Sequence, residues 1–522
     1  MRFHKVLNVL LVAAFLAAMT VPLLTADFEG GKISVDENRY LAMFPQLRTE
    51  GKWTFDAAQF NSWINDNIGG RALATKADTL IDYHAFGLSS KYDTLIGKDG
   101  WMYYYTEDIL DDYSGTNLLA EEKLEAVAQD VATVAEFVDE QGAQFLFVIA
   151  PDKKTVYPEK YTEMVNVLSE TKRTQQLLGY LREHAGIRAI TLEDALVSAK
   201  EKGDVYSPRV DNAHWNMLGG YIGYERIMQE LKDMGVEAPW TPLEECTVTE
   251  YTDQALFNSG VWISETAYSV YSERRDAIAL MPEKLDAFPF LSFNKNPDTY
   301  KKYYENADES LPSLLYVGDS YSVAMFEALP QSFSKTMFLH SADLPVLADV
   351  LQKEQFDVVI IESAERMLDY EFSLFDACAT RIKQSANALS GDVLEGMEIA
   401  VDAEWGYQYL DYCDDVIASE GTIWVQAGNT RSYMEGWALD PLAGSVAGRV
   451  IIEVGGELFE AEYGKERDSV AAYFQNDAYL CSGYTAILDT QKLIDAGQIA
   501  VHVISQDGTY QYPPAVYTVK TA

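Results

Sequence analysis

The chain has 522 residues and a net charge of −41, from 40 basic and 81 acidic side chains. That length can hold two domains and a leader. The charge argues against a nucleic-acid binder, and against general electrostatic attachment to anionic lipid or polyanionic sugar, because nothing neutralises the anionic partner. The four cysteines, Cys246, Cys378, Cys413 and Cys481, include no C-x-x-C pair, so neither a zinc nor a redox motif is read, and no metal or cofactor is expected.

Residues 1–27 carry Arg2 and Lys5 before an apolar run from Val6 to Ala26. This predicts a signal peptide or a membrane anchor, and places the remainder outside the cytoplasm, secreted or held at the membrane. Trp53, Phe55, Phe60, Trp63 and Ile64 predict an amphipathic helix, and Gly97–Tyr105 a hairpin turning at Asp99-Gly100. From Glu121 the pattern becomes α/β. Leu124, Val127, Val131, Val134 and Val138 recur at helical spacing, Gly142 ends the helix, and Phe145–Ile149 is a buried strand. Lys153, Lys154 and Tyr157 follow that strand, where sites form in open sheets. Lys154 and Tyr157 are read as substrate or oxyanion contacts, or equally as surface loop residues. Lys172–His184 is a helix and Ile187–Thr191 a strand. Such alternation predicts a parallel sheet covered on both faces.

The stretch VDNAHWNMLGG holds Asp211 three residues before His214, with a helix starting just after. This is either a base oriented by a carboxylate or a helix cap beside packing residues. Roughly the next 80 residues, to Glu309, have weaker periodicity and many aromatics, routine packing residues that also suit a sugar cleft. In LLYVGDSYSVAMF, Leu314–Phe326, an apolar strand breaks at Gly318-Asp319, and a helix is predicted from Val323. Ser320 sits at the tip, in the manner of a nucleophile elbow, near N–H groups at a helix N-terminus. Asp319 and Tyr321 flank it as oxyanion or substrate candidates, and Ser322 is a second serine. Phe338–His340 ends another strand, and His340 is a weaker base candidate. Asp357–Ile361 is buried strand, followed by Glu362, Glu365 and Arg366. Arg366 is read as a substrate contact, a partner orienting Glu365, or a structural ion pair. Past about Leu389 strands predominate, with Thr422–Gln426, Val450–Val454 and Ile499–Ile504, and turns at Gly455-Gly456 and Asp507-Gly508. Residues 391–522 are read as an all-β sandwich. Trp424, Trp437, Tyr463 and Tyr473 are its core or a carbohydrate platform, with core preferred.

GDSYS at Gly318–Ser322 and DNAHW at Asp211–Trp215 together resemble the SGNH-type domains of the DHHW and alginate-acetylation proteins. ENRYLAMFP at Glu37–Pro45, FNSWINDNIGGR at Phe60–Arg71, GKDGWMYY at Gly97–Tyr104, IAPDKKTVYPEKY at Ile149–Tyr161 and VVIIESAERML at Val358–Leu368 extend the likeness. The resemblance implies an SGNH-like three-layer α/β/α domain over residues 28–390, and such relatives can carry an appended carbohydrate-binding module. It implies Ser320, His214 and Asp211 as catalytic residues of a polysaccharide O-acetyltransferase or esterase, with a membrane O-acyltransferase as acyl donor. One position departs: the family's aspartate two residues before the last histidine is Asn212 here, and Asp211 restores the spacing of ordinary SGNH enzymes. Two function classes follow. One is the acyl-serine enzyme. The other is a non-catalytic polysaccharide-binding or assembly protein on the same fold. A lyase or glycosidase lacks a convincing carboxylate pair.

Overall fold

The computed structural model describes residues 2–34, 39–49, 52–169, 171–257, 260–288, 290–291, 300–385, 388–389, 391–394, 396–400, 407–414 and 416–521. Glu37 and Asn38 of the ENRYLAMFP motif, and Ser390 at the expected domain division, lie outside them.

Seven strands build the central sheet: β1 (Gln144–Ala150), β2 (Ala189–Thr191), β3 (Ile278–Leu280), β4 (Lys302–Asn306), β5 (Leu314–Gly318), β6 (Lys335–His340) and β7 (Val358–Ala364). Their order is β3-β4-β6-β5-β7-β1-β2. From β6 to β2 the neighbours run parallel. β3 and β4 are antiparallel additions at one edge. The sheet is therefore mixed, and the aromatic-rich segment after His214 supplies two of its strands. Their shortness and edge position explain why no alternating pattern marks them: a three-residue strand holds too little of a period.

Side chains leave the sheet on alternate faces. Leu146, Val148, Ala150, Leu314 and Tyr316 join one core. Phe145, Phe147, Ile149, Leu315 and Val317 join the other. The helices α1 (Glu121–Glu140), α2 (Arg173–His184) and α4 (Leu368–Ser385) cover the second face, and α3 (Met217–Asp233) the first. Each fully buried Leu, Val, Ile or Phe contributes about 1.5–3 kcal/mol, so these two apolar layers dominate the domain's stability. The apolar stripe of α1 is the one its spacing predicts, and Gly142, at φ 82°, follows its C-terminus. The hairpin forms at Thr94–Ile96 and Met102–Tyr104, with positive φ at both Asp99 and Gly100. α3 comes unusually close to its neighbours. A Cβ on Gly219 would lie 2.0 Å from the Val205 carbonyl oxygen, and one on Gly220 would lie 2.4 Å from the Ala324 Cβ. Gly220 thus sets the approach of α3 to the segment following Ser320.

At the N-terminus a helix runs Arg2–Leu24. Among the described residues no helix is long and apolar enough to cross a membrane. The expected amphipathic helix is Ala57–Asn67, whose Phe60 and Trp63 pack with Phe28 and Phe44, while Trp53 and Phe55 lie outside it and exposed. After α4 the chain is β-rich. Two sheets share a core that includes Leu410, Met434, Ala486, Val450, Val501 and Tyr512. Two short helices, Asp468–Phe474 and Thr490–Ala496, also belong here, so this region is not purely β. Its four noted aromatics do not share one surface. Trp424 lies in one sheet under the Lys520 ammonium. Trp437 lies in the other sheet and packs on Phe474, which neighbours exposed Tyr473. The Tyr463 hydroxyl donates to Ala438 O and accepts from the Ala447 N–H. All four cysteines are free thiols.

Candidate active site

Two loops meet at the carboxyl end of the parallel strands. β5 delivers Ser320, and the loop before α3 delivers Asp211 and His214. The His214 Nε2 lies 2.7 Å from Ser320 Oγ, and Nδ1 lies 2.9 Å from Asp211 Oδ2. Asp211 Oδ1 also accepts from the N–H groups of Ala213 and His214 at 2.7 and 2.8 Å. Partial burial pushes the Asp211 carboxyl up, but hydrogen bonds from the His214 ring and these two N–H groups outweigh it and hold the carboxyl well below its usual range. It therefore stays ionised and fixes the imidazole with Nε2 facing the serine. The Asn212 side chain points elsewhere, donating to Thr94 Oγ1 at 2.7 Å and to Asp93 O.

The two loops tie to each other. Trp215 Nε1 donates to Tyr321 O at 3.0 Å, and Tyr321 Oη donates to Ala213 O at 2.9 Å. The Tyr321 ring also packs on His214, with centroids 5.2 Å apart. Buried Tyr321 thus positions the imidazole, and its hydroxyl is already engaged. Arg366 Nη1 donates to that hydroxyl at 3.0 Å and to Asp152 Oδ1 at 2.6 Å, its guanidinium lying over the rings of Tyr104 and Tyr321. Of the roles the sequence offered it, Arg366 takes the structural ion pair, and its partner is Asp152 rather than Glu365.

The serine turn is tighter than expected. Ser320–Met325 is a short 3-10 segment, so no long helix aims its N-terminus at the site. Asp319 is buried and acts as the cap: its Oδ1 accepts the Tyr321 N–H at 2.9 Å and its Oδ2 the Ala364 N–H at 2.8 Å. The Ser322 N–H and Oγ both donate to Asp319 O. These bonds occupy Asp319, Tyr321 and Ser322. The Ser320 N–H makes no hydrogen bond among the described residues, and it stands ready to receive an oxyanion. His340 pairs across from Gly318, but its Nδ1 accepts the Ala342 N–H and burial lowers its pKa.

Lys154 and Tyr157 sit inside the fold rather than on a substrate path. Lys154 is 3% exposed and meets Asp112 at 2.5 Å, Glu365 at 3.3 Å and Asp152 at 3.7 Å. Burial pulls this ammonium down, but the three carboxyls outweigh burial and raise its pKa. Tyr157 is buried, its hydroxyl accepting the Val205 N–H at 3.0 Å.

Two positioning residues escaped the sequence reading. Lys153, also buried, donates to Asp211 O at 2.6 Å and to Met102 O at 2.8 Å, and burial pushes its pKa down to about 7. Glu265, on the hairpin Thr247–Phe257/Val261–Tyr271, accepts from Ser207 Oγ at 2.6 Å and from the Arg209 and Val210 N–H groups. Ser207 Oγ in turn accepts the Asp211 N–H at 2.8 Å. The Asp211 backbone is thus held at both ends. Glu265 did leave a signal: it falls on the inward parity of its strand, with Val261, Ile263 and Ala267.

Asp211→Asn is expected to lower turnover of an activated acetyl ester about a hundredfold, less than for a fully buried triad aspartate, because this side chain is 42% exposed and water can partly replace it. Asn212→Ala is expected to stay within about threefold of wild type, since its side chain faces Thr94. Steady-state kinetics of the two variants check both, and equal losses would refute the assignment.

No curated protein matches the chain. Bacillus cereus PatB1 is similar in structure at 18% identity and TM-score 0.39, over 53% of this chain and 96% of that one. The O-acetyltransferase domain of Pseudomonas putida AlgJ is similar at 16% identity and TM-score 0.35, over 54% and 99%. A DHHW family protein from Eubacterium siraeum is similar at 14% identity and TM-score 0.36, over 56% and 96%. Residues 94–258, about a third of the chain and the part that holds Asp211 and His214, match the family model described as SGNH hydrolase-like domain, acetyltransferase AlgX, which is the family that the sequence motifs resemble.

Proposed function

We propose that this protein is an extracytoplasmic SGNH-like serine O-acetyltransferase or acetylesterase acting on a cell-surface or secreted polysaccharide. One observation carries the reading: an unbroken Asp211–His214–Ser320 hydrogen-bond chain beside a Ser320 N–H that is unbonded among the described residues. His214 Nε2 takes the Ser320 proton as Oγ attacks the carbonyl carbon of an acyl donor. The Ser320 N–H receives the oxyanion, and Asp211 stabilises the imidazolium. As the tetrahedral intermediate collapses, the imidazolium returns its proton to the leaving group. The acyl-serine is then attacked by a sugar hydroxyl, or by water, whose proton passes to His214 Nε2 and from there to the leaving Ser320 Oγ, which frees the acetylated sugar, or acetate, and restores the serine. A membrane O-acyltransferase is the proposed source of the acyl group, and the β-rich region after α4 the proposed carbohydrate holder. The apolar leader supports export.

The non-catalytic reading has two supports, the departure at Asn212 and the possible carbohydrate-binding module after α4. With Asp211 itself holding the imidazole, that departure no longer favours it. A fluorophosphonate probe tests the choice, since it bonds covalently to activated serines. Mass spectrometry is expected to find the adduct on Ser320, with labelling strongly slowed in His214→Ala. Labelling that misses Ser320, or that ignores His214, would sink the proposal.

A further inference from the structure

A cleft of about 880 Å³ separates the α/β domain from the β-rich region. Its size is within the range of about 300–1,000 Å³ found for small-molecule sites. The helix Leu347–Lys353 and α4 line one side with Asp349 and Arg381, and the strand Arg431–Asp440 lines the other with Arg431. Both arginines lean on the same carboxylate. Arg381 Nη2 lies 3.7 Å and Arg431 Nε 3.8 Å from Asp349, which also accepts from Thr430 Oγ1. Charge-assisted hydrogen bonds are about 2.7–2.9 Å long, so neither guanidinium has closed onto it. Arg381 Nε and Arg431 Nη1 are buried without a hydrogen-bond partner among the described residues. Arg431 is 10% and Arg381 18% exposed.

Two guanidiniums gathered at Asp349, with Asp489 also acting on Arg431, make a desolvated cationic cluster whose buried N–H groups lack partners among the described residues, which is costly. Its presence is the more telling in a chain with twice as many acids as bases. The planar fork of a guanidinium matches carboxylate and phosphate oxygens. The other charges define the rest of the ligand. Asp414 is tied to Ser432 and the Tyr433 N–H, Glu435 to Arg467, Asp343 to Lys301 and Lys465 to Glu462. Asp376 and Glu466, exposed on the lining, would repel a second anion and accept hydroxyl protons.

We propose that this cleft binds a sugar-sized, hydroxylated ligand carrying one oxyanion group, carboxylate or phosphate, which the Arg381–Arg431 pair receives. The site is separate from Ser320, and its test needs no turnover. Calorimetry on the full chain at fixed ionic strength would use D-glucuronate, inorganic phosphate and D-glucose. At least one acid is expected to bind, with glucose at least about tenfold weaker. Glucuronate alone would assign a carboxylate, and phosphate alone a phosphate. Arg431→Gln and Arg381→Gln are each expected to weaken binding about tenfold or more. If Arg431→Gln fails to fold, the more exposed Arg381→Gln decides. No response to either acid at about 10 mM, tenfold above a millimolar Kd, would overturn the proposal. So would glucose binding as well as the acids, or affinity unchanged in Arg381→Gln.

Discussion

Ser320→Ala is expected to lower acetyl release from p-nitrophenyl acetate by about a thousandfold or more, and His214→Ala by a similar factor. The double variant should be no worse than either single one. Nucleophile and base act as a unit: without the imidazole 2.7 Å from Oγ the hydroxyl stays protonated, and without the hydroxyl the imidazole has no proton to take. Far-UV circular dichroism should not change, because each residue sits beyond the carboxyl ends of the parallel strands rather than in either apolar layer. Retention of activity within tenfold in Ser320→Ala would remove the serine from the mechanism. Adding oligosaccharides to the active wild type then separates transfer from hydrolysis, by acetylated sugar against free acetate.

Lys154→Met is expected to cost about 3–5 kcal/mol of stability, the largest single effect anticipated outside the two apolar layers. Removing this ammonium leaves Asp112, Asp152 and Glu365 facing one another at 7% side-chain exposure or less. Glu365, already pushed up by burial, would take a proton, which softens the loss without abolishing it. The denaturant midpoint reports the change. Lys492→Met provides the contrast: its pair with Glu457 is well exposed, so the expected loss is at most about 1 kcal/mol. Folded Lys154→Met should keep its KM for the acetyl ester. A raised KM at unchanged stability would return Lys154 to the substrate contacts.

Lys154 also marks where sequence reasoning stops. The pattern that located it was sound, since a loop at the end of β1 does border the site. Lys153 and Lys154, however, share a single helical turn, Lys153–Val156, and adjacent residues there point about 100° apart. One reaches Asp211 and the other reaches Glu365, and nothing local says which. The meeting of Asp211, His214 and Ser320 in one hydrogen-bond chain was legible because each stands in a motif whose residue types suggest that pairing. α1, β1 and β7 were legible because their apolar periods are long and regular. β3 and β4 were not, because their partners are fixed by tertiary pairing rather than by their own pattern. The helix expected after Ser320 became a short 3-10 turn once Asp319 took the Tyr321 N–H. Asx caps of this kind compete with regular helix, and the outcome depends on what packs beneath.

The cross-tie between Trp215 and Tyr321 joins segments 106 residues apart. On a growing chain the imidazole emerges first, and the hydroxyl follows roughly 5–20 s later at ordinary synthesis rates. Until β5 enters between β6 and β7, the histidine has no nucleophile and the serine no base. On the proposed mechanism, a chain caught before that step is expected to be silent toward acyl donors. In a refolding experiment acylation should therefore return late, after most helical signal has recovered, so that the reaction itself reports closure of the sheet.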